Sequence, residues 1–158
     1  MAREYAFRFL FHLQFDGLRE KMHDLQHLSD PEGLLEIHLE EFDAVLAHDD
    51  KDKDWPVLQI DEKGKLFARD LILSVIRNES KAKELVTSAL SSWKIENLHR
   101  IDLVVLMMAA TEMLITKNAP FKVVISESLK LVERYGMNDS AGFVNGVLDQ
   151  LAKINKLK

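Results

Sequence analysis

The chain has no cysteine, only three prolines and six glycines in 158 residues, and a formal net charge of −5 where a nucleic-acid binder normally carries a basic excess. Each of these shortages closes off a class. Without cysteine there are no disulfides, thiolate metal sites or cysteine nucleophiles, a composition that fits a reducing cytoplasm. Few prolines and glycines leave little room for an all-β chain full of turns. The longest apolar run, Leu103 to Ile115, contains Glu112 and is shorter than the about 20 residues that a membrane-spanning helix needs. The N-terminal MAREYAFRFLFHLQ has Arg3, Glu4 and Arg8 inside its apolar stretch and no small-residue cleavage site, so it reads as a helix rather than a signal peptide. P-loop, GxGxxG, GxSxG and HExxH patterns are all missing, which favours a binding protein over an enzyme and implies no cofactor. His23 and His27 are four apart, but with no third ligand they read as surface rather than metal site.

What is present is helical periodicity through nearly the whole length, enough for one domain over 1–158 with a real core. Ala6, Phe9, Leu10 and Leu13 form an apolar stripe on a first helix, while Arg3, Phe7 and Phe11 lie four apart on another face. That second face suits stacking and phosphate pairing to single-stranded nucleic acid, or Phe7 and Phe11 are simply core. A second helix begins at Pro31 and buries Leu35, His38, Leu39 and Phe42. Residues 49–60 form a charged loop with an acidic cluster at Asp49, Asp50, Asp52 and Asp54, and Trp55, Val57, Leu58 and Ile60 are expected to tuck against the fold. Asp61 caps the next helix. A fourth helix, from about Ser80 to Trp93, presents Val86, Ala89, Leu90 and Trp93, and Asn97 caps a central helix that is apolar on nearly all sides.

The stretch from Pro120 to Leu151 is the most distinctive. Pro120 opens a helix with Val124, Ile125, Leu129 and Val132 on its apolar face. Gly136 stops it, with the freedom to take the left-handed conformation that helix ends often need, and Asn138, Asp139 and Ser140 supply capping oxygens for the last helix. Gly146 lies inside that last helix, where glycine is unfavourable by roughly 1 kcal/mol relative to alanine, so close approach of a neighbouring backbone is the expected compensation.

The run APFKVVISESLKLVERYGMNDSAGFVNGVLDQL, and FVNGVLD at residues 143 to 149 above all, resembles the C-terminal half of the NusB family of bacterial transcription antitermination factors. WKIENLHRIDLVVLMMAATEML adds to the likeness through its Arg100–Asp102 step and Glu112. The resemblance implies an all-α fold of about seven helices in two packed subdivisions of three to four helices each. It also implies a cytoplasmic protein that binds boxA-type single-stranded RNA of ribosomal RNA operons together with NusE, a small-subunit ribosomal protein, within the RNA polymerase antitermination complex. The residues it carries over are Arg3, Phe11, Tyr135, Asp139 and Phe143 toward RNA, and Asp102 and Glu112 toward the protein partner. Each has a structural alternative: Phe143 lies on an apolar stripe, Asp139 can cap, and Glu112 can pair with Lys117. Only Met1 and Ala2 precede Arg3, where the family has an arginine-rich arm, so fewer phosphate contacts are expected. An interaction scaffold, or a homodimer that covers the Arg3–Phe11 face, is the alternative function.

Overall fold

The computed structural model describes residues 2–13, 31–48 and 59–157. His23, His27 and the acidic cluster at 49–54, with Trp55, Val57 and Leu58, lie outside them. Among the described residues there are seven α-helices and no strand: α1 (Ala2–Leu13), α2 (Pro31–His48), α3 (Glu62–Arg77), α4 (Glu79–Ala89), α5 (Arg100–Ala110), α6 (Phe121–Tyr135) and α7 (Ser140–Ile154). The all-α expectation and the helix number therefore hold. The chain divides into two compact units, residues 1–77 and 78–158.

In the first unit α1 packs on α3, and Phe42 of α2 is gripped by three rings of α1. Tyr5, Phe9 and His12 stand 5.6, 5.4 and 5.5 Å from it, centroid to centroid. The i, i+4 and i+7 spacing of these three positions turns them to one side of α1; the Tyr5 and Phe9 rings meet Phe42 edge-to-face and His12 is tilted against it, contacts that add to the area that is buried. The Tyr5 hydroxyl donates to Asp43 at 2.7 Å, and Lys65 reaches the same carboxylate at 3.5 Å. A buried phenol that donates to a carboxylate holds its proton more firmly, and the Tyr5 pKa is driven well above the ordinary tyrosine range, first by burial and then by Asp43. Asp61 caps α3 as expected, accepting the Gly64 N–H at 2.7 Å.

In the second unit α5 touches α4, α6 and α7, and every residue from Val104 to Met113 is buried. The all-round apolar sequence read as a central pillar is one. Its last turns widen into a π-helical segment, Thr111–Thr116, closed by Lys117 in the left-handed region at φ 52°. Two boundaries differ from the sequence reading. Helix α4 stops at Ala89, because Leu90 turns extended and its N–H bonds back to Thr87, so Trp93 leaves the buried face and is 56% exposed. Asn97 caps nothing: it sits in a 3-10 turn, Ile95–Asn97, and the cap position of α5 falls two residues later at His99, whose carbonyl accepts the Leu103 N–H.

Candidate nucleic-acid interface

The turn between α6 and α7 is built by a buried relay. Ser140, the first residue of α7, turns its hydroxyl inward, where its oxygen accepts the Met137 N–H at 3.0 Å and lies near enough to the Asp102 carboxylate of α5 to act on its pKa. Asp102 is only 3% exposed, and its Oδ1 has no hydrogen-bond partner among the described residues. Burial pushes its carboxyl pKa up. The Ser140 hydroxyl and His99 pull it back, and Asp139 adds to the upward push.

Because Ser140 does this work, Asp139 does not. Asp139 occupies the cap position of α7 without a side-chain capping bond and is exposed, contrary to the capping role read for it. Tyr135 ends α6 half-buried, and Phe143 is half-buried on the first turn of α7, with its ring edge-to-face with Trp93 at 6.1 Å. The C-terminal unit thus carries an accessible carboxylate and two partly accessible rings on the residues around one helix junction. Such a set can accept hydrogen bonds from base amino groups and stack on base faces.

The two glycines of the hairpin exchange the reasons read for them. Gly136 has φ −84° and ψ −176°, an extended backbone open to any residue, so no left-handed turn requires it. It is a close-packing position instead: a Cβ there would sit 2.6 Å from the Val132 carbonyl oxygen and 2.9 Å from Ser140 Cβ and Oγ. At Gly146, where close packing was expected, a Cβ would meet nothing within 4 Å, and the same holds one turn earlier at Gly142. Both line a groove of about 440 Å3 between α7 and the end of α4, with Trp93 and Phe143 among its walls. Sequence reading missed this groove because Trp93 was placed on a buried helix face.

Arg3 and Phe11 belong to the N-terminal unit. The Arg3 guanidinium lies over the Phe67 ring at 4.9 Å, and Phe11 stacks on Phe7 at 5.8 Å with the planes 23° apart. Phe7 is fully buried, so the core alternative holds for it, whereas Arg3 and Phe11 stay partly exposed. Asp102 and Glu112, read as partner contacts, are 3% and 1% exposed. Both face the interior of the unit, Asp102 beside the hairpin and Glu112 in the π segment, where it is engaged within the fold.

The model of the NusB family matches residues 1–153 of this sequence. The chain belongs to the NusB family. A NusB from Clostridium perfringens is 31% identical over 118 residues, 75% of this chain and 82% of that protein. One from Geobacter sulfurreducens is 35% identical over 89 residues, 56% of this chain, and the match spans 64% of that protein's length. A solved structure of the Thermotoga maritima NusB superposes with a TM-score of 0.68 at 31% identity, covering 96% of this chain and 88% of that one. A further structure shares the fold at 20% identity and a TM-score of 0.68, over 97% and 94% of the two chains; it holds the antitermination factors NusB and NusE in complex with double-stranded RNA. The relatives matched in this family are transcription antitermination proteins. Among the described residues no helix is long and apolar enough to cross a membrane.

Proposed function

We propose that this protein binds boxA-type RNA of ribosomal RNA transcripts together with NusE in the cytoplasm and, as part of the RNA polymerase antitermination complex, helps the polymerase read through terminators. One observation carries the reading: the α6–α7 junction leaves the Asp139 carboxylate uncommitted to its own helix and carries the partly exposed rings of Tyr135 and Phe143 on the residues around it. Stacking faces for unpaired bases and an acceptor for base amino groups are what single-stranded RNA recognition uses. The N-terminal end of α7 adds a favourable place for a phosphate. Arg3 and Phe11 contribute from the N-terminal unit, where each keeps an accessible portion.

The test is a titration of labelled boxA-type RNA and a scrambled control, with and without NusE, at two salt concentrations. Expected are a preference for boxA that NusE strengthens, and losses of about tenfold for Tyr135→Ala, Phe143→Ala and Phe11→Ala. No preference in the presence of NusE defeats the reading. It would favour a protein-interaction scaffold or a homodimer with weak intrinsic RNA binding, a role that the net charge of −5 and the internal contacts of Arg3 and Phe11 also suit.

A further inference from the structure

The groove beside Phe143 is not explained by the packing of the unit. It runs between the chain that leaves α4, which brings Ser91 and Trp93, and a face of α7 that presents Gly142, Phe143, Gly146 and Gln150. Trp93 is 56% exposed, although indole is among the most favourable side chains to bury. Its ring meets Phe143 edge-to-face, an arrangement that fixes the indole while leaving ring surface open to the groove. At Gly142 and Gly146 the open space above the backbone belongs to this groove, and any side chain would project into it. No charged residue lines the groove and two of its walls are aromatic, which suits a flat, neutral occupant, with the polar groups of Ser91 and Gln150 available to its edge. A planar ring system fits.

We propose that the Trp93–Phe143 groove takes one unstacked nucleobase of a single-stranded RNA, held against the aromatic walls over the glycine floor and met at its edge by Gln150. This rests on the RNA-binding reading above and adds to it a defined subsite with Trp93 and Gln150 as recognition residues. The backbone of the bound nucleotide stays outside the groove, near the exposed Lys94 that follows Trp93.

The experiment uses the full chain and the boxA-type RNA, intact and with a single abasic nucleotide placed at each position in turn. Trp93→Ala and Gly146→Leu are each expected to weaken binding about tenfold. Gly146→Leu should melt no lower than the wild type, since it fills open space and replaces a helix-interior glycine. One abasic position should lose as much as Trp93→Ala and lose nothing further when combined with it, the non-additivity expected of two groups in contact. In a Trp55→Phe background, where Trp93 is the sole tryptophan, RNA should quench its fluorescence. Wild-type affinity in both Trp93→Ala and Gly146→Leu overturns the subsite and leaves RNA binding standing. Failure of the wild type to bind any RNA overturns both. A wild-type dimer that Gly146→Leu dissociates, with RNA affinity untouched, makes the groove a contact between copies and equally defeats the proposal.

Discussion

Alanine at Gly136 and at Gly146 should move stability in opposite directions, and the sizes follow from what each new Cβ meets. At Gly136 the methyl would lie 2.6 Å from the Val132 carbonyl oxygen, which already accepts the Gly136 N–H at 2.8 Å, so the last turn of α6 resists the shift. The other neighbour is Ser140, at 2.9 Å. Displacing Ser140 breaks the bond from the Met137 N–H and moves its hydroxyl away from the buried Asp102 carboxylate, whose pKa it lowers. Overpacking of this kind amounts to about 1–3 kcal/mol and a lost buried hydrogen bond to about 1 kcal/mol. Gly136→Ala should therefore destabilise by about 2–4 kcal/mol, lowering Tm by roughly 5–12 °C in a chain of this size. Gly146→Ala meets no atom and removes the helix-interior glycine, so it should stabilise by about 0.5–1 kcal/mol and raise Tm by roughly 1–4 °C. Thermal melts followed by far-UV circular dichroism, with urea midpoints alongside, read both. A Gly136→Ala protein as stable as the wild type, or two variants that shift in the same direction, would refute the assignment of close packing to one glycine and open space to the other.

Three further outcomes follow from the two cores. The raised Asp102 pKa means that the folded chain binds this proton more tightly than the unfolded one, so its contribution to stability is fully present below the ordinary value of 3.8 and is lost as pH rises through the folded value. Asp102→Asn should thus gain on the wild type as pH rises above 3.8, and a Tm difference that stays flat as pH rises from there counts against a buried Asp102. Tyr5→Phe removes the donor to Asp43 and should lower stability by about 0.5–1.5 kcal/mol by urea denaturation; an unchanged midpoint would show the bond to be energetically idle. Leu148→Ala, at a side chain with no exposed surface, should destabilise by about 2–5 kcal/mol, and a smaller loss would mean that α7 can collapse onto the cavity.

What was legible in the sequence was what is decided locally. Asp61 lies three residues before the N–H it caps, and the stripes of α6 and α7 bury Val124, Val132, Val144 and Leu148 as their spacing indicates. Features decided by a distant neighbour were not legible. The apolar period of α4 runs on through Leu90 and Trp93, and only the backbone turn at Leu90 shows that the helix has ended. Asp139 and Ser140 are both good capping residues, and which one faces inward depends on Asp102, 38 positions before Ser140. Asp102 and Glu112 are carried over as partner contacts from the family resemblance, which holds no information on burial; α5 and its π segment are packed on several sides, and both carboxylates are buried. Glycine identity indicated that something special happens at 136 and 146, but not whether a neighbour is present or missing.

The departures from ordinary folding rules are not scattered through the C-terminal unit. An exposed tryptophan, two helix-interior glycines without a packing partner, a cap residue that does not cap and a buried carboxylate with an unpaired oxygen all involve the first two turns of α7 or what touches them. Each works against stability by an amount on the order of 1 kcal/mol, in a fold whose total margin is about 5–15 kcal/mol. Sequences normally agree with their structures at every level, and concentrated disagreement marks a place shaped by something other than folding. The N-terminal unit shows the opposite trend, for its conspicuous residues are drawn into packing: Arg3 over Phe67, Phe11 on Phe7, and Tyr5 to Asp43. If this protein holds RNA, the weight of recognition therefore lies with the α6–α7 hairpin and its groove.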